Sequence, residues 1–215
     1  VQSGGLTQYV VGNGTTLTLG FRSTLKMKAN EALVIGDGGA LKGTVASIGQ
    51  SSEESKFGNP TGGEDNYILS VQAGGTIDLN MVVILNAGLP GHAAVRIENP
   101  RSAVLERVFI RYAMGTGLSL VNVSGETTTI QNLTVEELAS DSGTPFTGVS
   151  VKESSNLNLV NAHFLDSYGG WAIDVDDAST NITYSAGLMN SSTRNPSAVR
   201  GNATSTGAAL TPTPE

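Results

Sequence analysis

Cysteine is absent from the 215 residues, so no disulfide staples the fold and the two histidines, His92 and His163, have no thiolate to join in a metal site. Charge is scarce as well. Asp, Glu, Lys and Arg make up 14% of the chain, against roughly 25% in an average soluble domain. The balance is acidic, with 12 basic and 19 acidic residues and a net charge of −7. Nothing provides a basic stripe for phosphates, which excludes nucleic acid as a partner. No apolar run reaches 18 residues, so no helical membrane span is expected. Aromatics are only 5% of the chain, and no Gly-Lys-Ser/Thr phosphate loop or Gly-X-Ser-X-Gly elbow occurs. The chain opens at Val1 without Met or a signal-like stretch, as a processed protein or a trimmed segment would.

What the chain has instead is a repeat. Apolar doublets two residues apart return at a spacing near 24: Tyr9/Val11, Leu33/Ile35, Leu69/Val71, Val95/Ile97, Leu118/Leu120, Val149/Val151 and Ile173/Val175. A second inward set follows each, as in Leu17/Leu19, Ile77/Leu79 and Leu157/Leu159. A third anchor comes later in each unit: Leu25, Ile48, Ile84, Ile110, Val135, Phe164 and Leu188. A spacing of two is the period of a strand with one face buried. Gly, Asn, Asp and Ser fill the intervals, where a helical pattern would have to lie. Such a period marks a solenoid, whose units bury their apolar rows only by stacking on neighbours. The expected fold class is all-β, a single-domain parallel β-helix of about seven coils, each with three strands and three turns.

Turn chemistry points the same way. Asn13, Asp37, Asn99, Asn122 and Asp177 each stand four residues after a first inward residue, with Gly38, Gly74 and Gly125 close by. Asn, Asp and Gly tolerate the left-handed backbone a sharp corner needs. A stacked ladder of asparagines is expected there rather than a ligand site.

Two insertions lengthen the repeat, at residues 50–66 and 138–146. Both follow a third anchor and so leave from one edge, where insertions on a solenoid often build a contact face. The domain is expected to span residues 1–189, with 190–215 a Ser/Thr/Asn-rich tail ending in a Thr-Pro linker. Six Asn-X-Ser/Thr sequons, at Asn13, Asn122, Asn132, Asn181, Asn190 and Asn202, favour a secreted or cell-surface glycoprotein.

The stretches from Gly148 to Phe164 (GVSVKESSNLNLVNAHF) and from Gly117 to Ser124 (GLSLVNVS) resemble the repeats of right-handed parallel β-helix proteins, the pectin-lyase-like coils. That superfamily includes polysaccharide lyases, polygalacturonase-like hydrolases, tailspikes, adhesins and envelope proteins. Fold likeness alone does not choose among them. In such enzymes the catalytic groups project from the outer face of neighbouring strands. Here Arg96, Lys152, Asp174 and Asp176 occupy those outward positions, with Lys152 expected within ion-pair reach of Asp174 or Asp176. A lyase needs a base, commonly Lys or Arg, with Ca²⁺ clamping the acidic sugar. A hydrolase needs paired carboxylates. Gly91-His92-Ala93 and Arg96-Ile97-Glu98 echo parts of the polygalacturonase sequence set, but its lysine is replaced by Glu98 and the remaining motifs are missing. Tyr168 and Trp171 would stack on a sugar if exposed, or cap the coil stack if buried.

These features predict a non-enzymatic, extracellular structural or adhesive element of a cell envelope, without a required cofactor. It would self-assemble as a homo-oligomer or polymer, with glycans as further partners. A polysaccharide lyase or hydrolase is the alternative.

Overall fold

The computed structural model describes residues 6–49, 66–136, 138, 147–153, 155–165, 170–176, 178–179, 181–185, 189–190, 199–206 and 212–213. Every regular element among them is a β-strand. The strands form two sheets, of eight and fourteen strands, in which all the paired strands run parallel.

The eight-stranded sheet starts at Thr7–Val11 and Glu31–Ile35 and continues through Ile68–Val71, Val95–Glu98 and Thr116–Val121. It ends with Thr147–Lys152, Trp171–Val175 and Val199–Arg200. Each strand pairs with the one a full repeat later. The register puts Tyr9, Leu33, Leu69, Val95, Leu118, Val149, Ile173 and Val199 in one file. The doublet period is therefore also the interval between paired strands.

The fourteen-stranded sheet is strongly curled and contains both remaining strand families. The sequence predicts three separate strands per unit, and the second and third stay separate in most units, as in Ser102–Glu106 and Phe109–Arg111 or Thr128–Gln131 and Thr134–Glu136; in two units they run together. Ala40–Ile48 and Thr76–Leu85 are continuous and paired to each other almost throughout. Their corner is taken by Val45 and Met81, which adopt φ of 51° and 55° within the strand. The chain therefore bends without breaking its ladder, and two sides of the unit become one sheet.

That corner is a column of left-handed residues: Arg22, Val45, Met81, Arg107, Asn132 and Asn161. A β-branched residue in this region is a true outlier. Val45 is held there because its carbonyl accepts the Arg22 N–H at 2.7 Å, while Arg107 N–H bonds the Gln131 carbonyl at 3.0 Å two rungs further along. The asparagine ladder expected at the first corner lies here instead, where Asn161 Nδ2 donates to Asn132 Oδ1 at 2.7 Å. At the first corner the rungs are joined by backbone bonds, such as Gly14 N–H to the Gly38 carbonyl at 2.9 Å and Asn122 N–H to the Lys152 carbonyl at 3.0 Å. Asn13, Asn99, Asn122 and Glu153 are left-handed there, whereas on the second and third rungs Gly38 and Gly74 take that role. Asp177 lies outside the described residues.

Between the sheets runs one apolar core. Along Ser102–Glu106 burial alternates residue by residue, with Ala103 and Leu105 inward. A second file comprises Leu19, Gly43, Leu79, Leu105, Ile130, Leu159 and Tyr184. Each fully buried Leu or Ile in it contributes on the order of 1.5–3 kcal/mol. Most of the insertions at 50–66 and 138–146 lie outside the described residues, as does Leu188; Met189 stands in register with Phe164 in its place. The sheets continue beyond residue 189, because Val199–Arg200, Ala203–Ser205 and Pro212–Thr213 pair onto the preceding rung. Among the described residues no helix is long and apolar enough to cross a membrane.

Candidate functional site

Strand alternation sends Ser70, Arg96, Ser119, Ser150, Asp174 and Arg200 to the outer face of the eight-stranded sheet, stacked in register. Lys152 lies in the neighbouring file, in register with Val121 and hence Glu98. The connection before Val95 folds over this face through a tight turn, in which His92 N–H bonds the Leu89 carbonyl at 2.8 Å. Between that turn and the strands lies an open groove of about 300 Å³, lined by His92, Arg96, Thr116, Ser119, Ser150 and Lys152 together with Ile68 and small residues. The structure thus gathers His92, Arg96 and Lys152, which are far apart in the chain. Ser119 and Ser150 are buried in its floor.

The two aspartates are set elsewhere. Asp174 holds Arg200 through both carboxylate oxygens, each at 2.6 Å. Mainly through that hydrogen bond, the guanidinium is pushed above its ordinary range. Asp176 closes a turn: Oδ2 accepts the Glu153 N–H at 2.8 Å, and Oδ1 accepts the Ser179 N–H at 2.9 Å and hydroxyl at 2.7 Å. Desolvation pushes the Asp176 carboxyl up, yet these bonds together outweigh it and hold the group below the usual carboxylate range. The expected pairing of Lys152 with Asp174 or Asp176 does not form, because both acids are engaged by Arg200 and by turn amides. Arg96 instead pairs along its own strand with Glu98, at 2.9 Å.

The groove lining includes no carboxylate. It does not fit Ca²⁺, which takes six to eight oxygen ligands rich in carboxylates, nor does it hold the acid pair of a hydrolase. Among the described residues no three His, Asp or Glu side chains are placed to share a metal ion. His163 is elsewhere, on the outer face of the curled sheet in register with Thr134, and partial burial lowers its pKa. Trp171 is half-buried with the Arg200 guanidinium 5.3 Å from its ring centre. Tyr168 lies outside the described residues.

The sequons follow the backbone. Asn13, Asn122, Asn132 and Asn181 all adopt left-handed φ, between 50° and 55°. At Asn132 and Asn181 the threonine of the motif, Thr134 or Thr183, belongs to the strand that follows the corner. Asn13, Asn122, Asn181 and Asn202 are exposed. Asn132 is half-buried and its amide oxygen is occupied by Asn161; the side chain of Asn190 lies outside the described residues. Tyr67 escaped the repeat pattern altogether. It is fully buried and its hydroxyl donates to the Ile48 carbonyl at 3.0 Å. Compared with protein-family models, curated proteins and solved structures, the chain matches none.

Proposed function

We propose that the two sheets are the walls of a right-handed parallel β-helix, and that this solenoid is a non-enzymatic, self-assembling structural or adhesive element of a cell envelope. The open first rung carries the proposal. Thr7 N–H and the Val11 carbonyl turn toward the second rung. Parallel pairing alternates, so the backbone groups of Gln8 and Val10 turn to the opposite edge, which has no partner strand among the described residues. Apolar side chains cluster at this end: Tyr9 is 50%, Val10 66% and Phe21 71% exposed. An unpaired edge beside exposed apolar surface is a template for another chain. The last rung of a second copy would fit it head to tail, a contact that does not close on itself and so extends into a filament.

Sedimentation velocity and negative-stain electron microscopy test this directly. The wild type is expected to lengthen with concentration. Val10→Pro removes a donor only from the free edge, where proline is tolerated, and should leave a folded monomer. A wild type that stays monomeric at millimolar concentration refutes the proposal.

The groove supports a second reading. Arg96 and Lys152 beside His92 suit an acidic polysaccharide, with Lys152 as the base of a lyase. Turnover of uronic-acid polymers by the wild type and its loss in Lys152→Ala would favour this reading; no turnover by the wild type would end it.

A further inference from the structure

On the last strands of the curled sheet, the outward residues and the turn residues just before them form a grid without charge among the described residues. Asn158, Thr183 and Thr204 stack in register, and two residues earlier each rung carries an asparagine: Asn156, Asn181 and Asn202. Five of these six are exposed. Thr183 is half-buried, with its hydroxyl donating to Asn158 Oδ1 at 3.0 Å. Near the other end of the same face the in-register outward residues are Lys42 and Asp78, so the neutrality belongs to one end of the face only. Among the described residues, Val160 is the one exposed large hydrophobic on these strands, and the exposed aromatics, Tyr9 and Phe21, stand at the other end.

We propose that this grid binds the surface of a neutral, insoluble polysaccharide. Amides and hydroxyls side by side offer donors and acceptors together, the complement of sugar hydroxyls. Paired strands lie about 4.8 Å apart, so the file Asn158, Thr183 and Thr204 is regularly spaced on a rigid sheet, and the asparagines stand in the turns just before it, where Asn156 Oδ1 also accepts the Gly125 N–H at 3.2 Å. Each hydrogen bond in water is worth only about 1 kcal/mol net. A single sugar is therefore not held. An ordered polymer surface engages several rungs at once and gains through effective concentration. The acidic net charge of −7 disfavours an anionic polymer here. This binding is independent of filament formation.

The test uses protein from a host that attaches no N-glycans, because Asn181 and Asn202 head sequons. It is pelleted with microcrystalline cellulose and with insoluble β-1,3-glucan, with and without 1 M NaCl. The wild type is expected to pellet with at least one of these solids and to stay bound in salt. The Thr183→Lys/Thr204→Lys variant should bind at least tenfold less, while Lys42→Gln binds as the wild type does. Should the double variant lose its wild-type circular dichroism, Asn202→Glu probes the same grid from outside the strand pairing. Failure to pellet with either solid, release by salt, or undiminished binding by the grid variants overturns the proposal. Thermal hysteresis of ice growth without pelleting also overturns it, by assigning the grid to ice.

Discussion

Replacing Leu105 by alanine, beside the same change at Leu19, measures whether the rungs stabilise one another. Both residues belong to one inward file, but Leu105 is fully buried between Leu79 and Ile130, whereas Leu19 is at the end of the file. Its one in-register neighbour there is Gly43, which has no side chain to pack against it. Leu→Ala in a closed core costs about 2.7–5 kcal/mol, depending on how far the site collapses. Around Leu105 collapse is resisted, because backbone ladders on both sides fix the rung spacing near 4.8 Å. The expected loss is about 3–4 kcal/mol. At Leu19 less packing is lost and solvent reaches the gap, so about 1–2 kcal/mol is expected. Guanidinium unfolding followed by circular dichroism reads both values, with the m-value checked for an unchanged transition. A cost at Leu105 below about 1 kcal/mol, or equal costs at the two positions, would refute the stacked-file account.

Tyr67→Phe keeps the ring but removes the donor to the Ile48 carbonyl. The stranded buried acceptor should cost about 1–2 kcal/mol in the same unfolding assay. For Asp176, hydrogen bonds depress the folded-state pKa. Its stabilisation is thus complete above the ordinary carboxylate range, near 3.9, and is lost as pH falls through the depressed folded value. Melting temperatures between pH 2 and 6 should show the wild type ahead of Asp176→Asn at pH 6, with the gap closing below about pH 4. A gap independent of pH would remove the carboxylate from that role.

The all-β content and the parallel pairing were legible because the strand period and the interval between paired strands are written in the same apolar residues. Val95, Leu118, Val149 and Ile173 align by the apolar period alone, and they pair as aligned. The merging of the second and third strands into Ala40–Ile48 and Thr76–Leu85 was not legible. It depends on Val45 and Met81 accepting left-handed geometry, which neither residue type announces. The last strands were hidden for a similar reason: Val199 and Ala203 are weak apolar signals in a segment rich in Asn, Ser and Thr.

The sequence by itself determined the strand content, the interval between paired strands and which residues face inward, since each follows from local periodicity and the need to bury apolar surface. It also placed Arg96 and Lys152 on one outer face. Only the tertiary structure decided their company. Folding brought His92 to the groove through a turn, gave Asp174 to Arg200 and gave Asp176 to the turn amides of Glu153 and Ser179. Contacts between residues a rung or more apart depend on where loops and late strands come to rest, and side-chain pairing is settled there by whichever donor lies nearest.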